Sequence, residues 1–157
     1  MGSGGWSDLA HQILSVTAEC LDAGTIGAPK DMFVGHALPA ADCCDQLVVW
    51  LTAATPAGIS VQCGQPGQLR FNVRLLRPCQ PGLSGTGEFP APAAMEEAAD
   101  ALLVDAKVLW CCVPEQLRET LDNPSVTAIS LTPEPTQGLC AGWTLSLRID
   151  DDDCCTQ

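Results

Sequence analysis

Cysteine is the residue type with the most chemistry to offer in this chain. Ten occur in 157 residues, and six of them form adjacent pairs: Cys43–Cys44, Cys111–Cys112 and Cys154–Cys155. Three uses are open to them: metal binding, nucleophilic catalysis and disulfide formation. Structural zinc sites are built from cysteine pairs two to four residues apart. No such pair exists here, and adjacent doublets are poor chelate spacing. A thiolate nucleophile needs a base within reach. The chain has two histidines, His11 and His36. His36 precedes Cys43 by seven residues, so Cys43 or Cys44 with His36 is the one catalytic pairing to weigh. The simpler reading is a solvated loop histidine. Disulfides and buried thiols remain. Cys20 lies on an apolar helical stripe and reads as a small packed hydrophobe. Cys43, Cys44, Cys63, Cys79, Cys111, Cys112 and Cys140 flank predicted elements, where they can bridge neighbouring loops. They are the disulfide candidates, and spacing alone leaves their connectivity open.

Other motifs carry less. Gly82 to Gly87, "GLSGTG", lacks the lysine that ends a phosphate loop, and prolines separate it from the next helix. Asp150 to Asp153 could attract a hard cation. The run has neither the glycine nor the distal glutamate of a calcium loop, so it reads as a solvated acidic tail. No catalytic residue, cofactor site or metal site is expected, and an enzyme is disfavoured.

Composition narrows the partners. Seven basic and nineteen acidic side chains leave a net charge of −12. Tight nucleic-acid binding requires clustered Lys and Arg. The basic residues are scattered, apart from Arg70, Arg74 and Arg77 on one segment. Aromatics are few, with no tyrosine, so a stacking platform for single strands is missing as well. Residues 46–69 are uncharged as far as Leu69, but prolines and glycines break the stretch well short of a membrane span. The opening "MGSGGWSDLAHQ" has no basic n-region and no apolar h-region. A chain of this length buries roughly 70% of its unfolded surface, so it does not need disulfides merely to fold.

Several elements must position these residues. Ser7 to Leu21 has helical spacing, with Leu9, Ile13, Val16, Cys20 and Leu21 on one stripe. "DMFV" near residue 33 reads as a short extra strand. Residues 46–54 are apolar on both faces, as in a covered central strand. Residues 68–76 alternate: Leu69, Phe71, Val73 and Leu75 oppose Arg70, Asn72 and Arg74. These two strands are expected to pair as an antiparallel hairpin. The strongest helix is expected at residues 92–110, with Met95, Ala98, Leu102, Ala106 and Leu109 buried. Pro114 should start a short helix, "PEQLRETL", that "DNP" stops. Strands follow at residues 125–132 and 142–150. The order α-β-β-α-β-β predicts an α+β fold, a mainly antiparallel sheet of two hairpins packed on two helices. One domain is expected over residues 1–157, with a core at 7–150 and flexible termini at 1–6 and 151–157.

This arrangement resembles the tail terminator proteins of long-tailed bacteriophages. The segments that carry the resemblance are "DQLVVWLTAATP" with "QLRFNVRLLRPC", then "PAPAAMEEAADALLVDAKVLW", then "VTAISLTPEP" with "GWTLSLRID". The hairpin "CCDQLVVWL" to "LRFNVRLLRPC", followed by a Pro/Ala-led helix, is similar to neck proteins of actinobacterial phages. The resemblance covers residues 7–150 and is architectural. It implies a virion protein of the head–tail neck, assembled in the host cytoplasm as a homo-oligomeric ring, a hexamer. Such a ring stops polymerisation of the major tail tube protein and meets a head-side stopper or connector. DNA would pass through the ring without specific binding, past an acidic wall that repels its phosphates. A particle that leaves the cell would also let disulfides form late. The loops at Thr55–Gly67 and Arg77–Pro92 are the expected contact surfaces. Arg70, Arg74 and Arg77 are the candidates for salt bridges to an acidic neighbour. The alternatives are a head-closure or other connector protein, a generic binding module, and a cysteine-dependent enzyme.

Overall fold

The computed structural model describes residues 5–36, 45–56, 67–78, 92–137 and 140–151. Helix α1 spans Trp6–Asp22 and buries Ala10, Ile13, Val16, Thr17, Cys20 and Leu21 along one stripe. Thr17, the polar member, is satisfied by donating to the Ile13 carbonyl at 2.7 Å. The strands are β1 (Asp31–Val34), β2 (Gln46–Pro56), β3 (Gly67–Pro78), β4 (Thr127–Gln137) and β5 (Cys140–Asp151). Helices α2 (Pro92–Lys107) and α3 (Val113–Leu121) lie between β3 and β4.

The fold is α+β. One five-stranded sheet runs in the order β1-β2-β3-β5-β4. Both expected hairpins are present, as the antiparallel pairs β2–β3 and β4–β5. A third antiparallel pair, β3–β5, joins the hairpins through twelve consecutive partners from Gly67↔Asp151 to Pro78↔Cys140. The extra strand β1 pairs in parallel with β2, and so covers the edge that β2 would otherwise expose.

Period-two alternation decides which face packs. Leu69, Phe71, Val73 and Leu75 of β3 stand opposite Ile149, Leu147, Leu145 and Trp143 of β5. With Leu47 and Val49 of β2 they form the sheet side of the core, against α1 and α3. One position on this sheet requires glycine. A Cβ on Gly142 would stand 1.7 Å from the Leu75 carbonyl oxygen, so no side chain fits.

The expected helix over 92–110 is corrected in two ways. First, α2 gives way at Val108–Cys112 to one π-helical turn, in which the Val113 N–H bonds the Val108 carbonyl. The apolar spacing explains the turn. Leu109, Val113, Leu117 and Leu121 recur every four residues and are all buried. Four residues overshoot one α-helical turn of 3.6 residues, and a wider turn takes up the drift. Pro114 also lacks the N–H that would bond the Trp110 carbonyl in a regular α-helix. Second, α2 itself is barely buried. Met95 is 54% exposed, and only Asp105 and Ala106 are buried along the helix.

Trp6 begins α1 and Asp151 ends β5, and the Trp6 Nε1–H donates to Asp151 Oδ2 at 3.0 Å. The first helix and the last strand thus meet at their outer ends.

Candidate functional site

Three constellations bring functional side chains together. The first is the disulfide Cys20–Cys112, which ties α1 to the π turn across 92 residues of sequence, with the Cα atoms 6.0 Å apart. Cys20 is therefore not the buried free thiol its stripe implied. The stripe does bury the side chain, but it aims it at the π turn. The same turn separates the second doublet: Cys112 points inward to Cys20, while Cys111 is exposed and free. Cys111 is thus removed from the disulfide candidates, and Cys112 is kept with an unexpected partner. Cys140 is disulfide-bonded as well. Cys43, Cys44, Cys63 and Cys79 lie outside the described residues.

The second constellation is polar and sits at the rim of the core. Arg77 donates from Nε to Asp105 Oδ2 at 3.0 Å and from Nη2 to Asp105 Oδ1 at 3.1 Å. Nη2 also donates to the Gly27 carbonyl at 2.7 Å. This fork links β3, α2 and the segment between α1 and β1. Bidentate guanidinium–carboxylate pairs are among the stronger charge-assisted bonds. Trp143 adds a second tether, donating from Nε1 to the Leu102 carbonyl at 2.9 Å. Helix α2 is therefore held by polar bonds more than by an apolar stripe. Arg77 is committed within its own chain, which takes it out of the set of arginines offered to a neighbour. A signal for Asp105 exists in the sequence: it is the lone carboxylate in the apolar run "ALLVDAKVLW".

The third constellation lies on the sheet face that points away from α1 and α3. Arg74 is 3% exposed, so it too is no free contact residue. Its Nη2 donates to Gln46 Oε1 at 3.1 Å. Burial lowers the pKa of its guanidinium, and the charge of Glu134 works in the opposite direction. Glu134 also accepts a bond from the Thr144 hydroxyl. Next along the face, Ser146 donates to Asn72 Oδ1 at 2.8 Å. Beyond that pair, Arg70 and Arg148 are direct register partners. Of the three arginines singled out in the sequence, only Arg70 is exposed. Arg148, its cross-strand partner, was missed because the two are 78 residues apart and only the β3–β5 pairing joins them.

Among the described residues, no group of three or more His, Cys, Asp and Glu is placed to hold a metal ion. His11 and His36 are both exposed. No described helix is long and apolar enough to cross a membrane. The expected contact loop at Thr55–Gly67 is shorter than supposed, because β2 continues to Pro56 and β3 starts at Gly67. Residues 57–66 and 79–91 lie outside the described residues, as do residues 152–153 of the acidic run.

No family model matches this chain, and no curated protein matches its sequence.

Proposed function

We propose that this chain is a structural protein of a phage head–tail neck, a tail terminator that forms a homo-oligomeric ring on the tail tube. The observation that carries the reading is the chain order. Two antiparallel hairpins are separated by a helical segment and share one sheet. The resemblance drawn from the sequence rests on these two hairpins and the helix between them. The observed order departs from α-β-β-α-β-β by adding β1 before the first hairpin and α3 before the second. An interlocking role also suits a subunit whose chemistry is mostly bonding within itself. The Arg77–Asp105 fork fixes α2 on the sheet, and the Cys20–Cys112 bridge fixes α1 on the π turn. A ring subunit needs two different contact faces rather than a catalytic centre.

The deciding experiment is deletion of the reading frame from its source genome, with negative-stain imaging of the lysate. Overlong tails detached from DNA-filled heads are the expected outcome. Tails of normal length beside leaking or unjoined heads would move the protein to the head side, as a head-closure or connector protein. Intact infectious particles would remove both readings.

A further inference from the structure

We propose that the sheet face around Arg70 and Arg148 is a carboxylate-binding surface, and that its occupant is the acidic outer face of α2 from a second copy of this chain. The inference rests on the ring reading above and names the surfaces that would close it.

The receptor is recognised by two arginines with nothing to hold. Arg70 and Arg148 are direct Cα partners on adjacent antiparallel strands, so both side chains leave the sheet on one side. Like charges directly opposite one another destabilise a sheet unless something neutralises them. Among the described residues, neither guanidinium makes a hydrogen bond or an ion pair, and Arg148 Nε is buried without an acceptor. The one carboxylate nearby in register is Asp150, two residues along β5. Its Oδ1 is buried without a hydrogen-bond partner, so that oxygen holds neither guanidinium. With Arg74, three of the seven cationic side chains of a −12 chain share this face. Thr127, the β4 partner of Arg148, and Ile129, 40% exposed at the adjacent bulge, complete the patch.

The donor is recognised by what α2 leaves uncovered. Glu96, Glu97 and Asp100 are all exposed on it. Beside them Met95, Leu103 and Val104 are 54%, 60% and 41% exposed. Helices α1 and α3 bury their apolar stripes, whereas α2 presents acids and apolar side chains together to solvent. Carboxylates with an apolar flank complement arginines with an apolar flank. The helices and the arginine face lie on opposite sides of the sheet, so one subunit cannot satisfy itself. The contact is therefore head-to-tail, the type that closes into rings when the rotation permits.

The test is a charge swap in the full chain, read by sedimentation velocity. The wild type is expected to self-associate, less strongly as added salt shortens the Debye length. Reversing the receptor (Arg70→Glu with Arg148→Glu) or the donor (Glu97→Lys with Asp100→Lys) should each weaken association about 100-fold. Combining all four changes should recover most of it. Arg70→Gln with Arg148→Gln, checked for a native circular dichroism spectrum, serves as the milder receptor variant. A wild type that stays monomeric at about 1 mM would overturn the inference. So would receptor variants that associate normally, or a four-fold variant that shows no recovery. Binding of a duplex DNA fragment that depends on Arg70 and Arg148 would make the ligand a phosphate, and would also overturn it. A monomeric protein whose deletion still gives overlong tails would refute this surface alone and leave the neck reading standing.

Discussion

Arg77 and Asp105 are 28 residues apart in sequence, yet they meet through two hydrogen bonds in a site where their side chains are 12% and 3% exposed. The pair replaces the apolar contacts that α2 lacks. Removing one partner leaves the other charge buried and uncompensated. Arg77→Met or Asp105→Leu is expected to cost about 3 kcal/mol in urea denaturation. The combination of both should recover much of that loss, because neither charge is then stranded. A double variant less stable than both single ones would show that the fork contributes more than charge compensation.

The Cys20–Cys112 bridge closes a loop of 92 residues. Chain-entropy arguments put the ceiling for such a loop at about 4 to 5 kcal/mol. Reduction, or Cys20→Ala with Cys112→Ala, is expected to lower the melting temperature measured by calorimetry. Alkylation of the unreduced protein should label Cys111 and spare Cys112, its immediate neighbour. Peptide mapping that finds Cys112 alkylated and Cys111 bridged would reverse the assignment.

Gly142→Ala tests the close approach of β5 to Leu75. The added methyl group would overlap the Leu75 carbonyl, and β3 or β5 would have to shift. A loss of about 1–3 kcal/mol or more is expected in thermal or chemical unfolding. Gly5, with nothing within 4 Å of its added Cβ, is the control that should tolerate alanine.

Trp143→Phe keeps an aromatic ring against the core but removes the indole N–H that reaches the Leu102 carbonyl. The expected cost is about 1 kcal/mol. Faster amide exchange should appear in α2 and not in α1. Equal acceleration in both helices would mean that the whole core has loosened.

The strands were legible because alternation is a local property. Leu69, Phe71, Val73 and Leu75 declare one face without reference to the rest of the chain. The α1 stripe was legible for the same reason. What escaped was whatever depended on distant pairing or on a polar residue placed inside. The Arg70–Arg148 pair exists only through the β3–β5 register. Cys20 reads from its stripe only as a packed thiol, and nothing local shows that the π turn brings Cys112 to it. Met95 was expected inside because its spacing fits a stripe, but Asp105 sets the rotation of α2 by bonding Arg77. A buried ion pair outweighs a weak apolar pattern when the helix has few large apolar side chains to bury. The proposed neck role drew on element order and on the hairpin and Pro/Ala-led helix segments that carry the resemblance.

The bond from Trp6 to Asp151 brings the outermost described residues of the first helix and the last strand to within a single hydrogen bond. The start of the first helix thus lies beside the end of the last strand. A short linker joining those two points would not need to cross the molecule, so new ends could be opened elsewhere, in the turn between α3 and β4 for instance. Such a circular permutant would keep every strand pairing while changing the order in which the hairpins are made. It would separate the architecture of this fold from the sequence of events by which it forms.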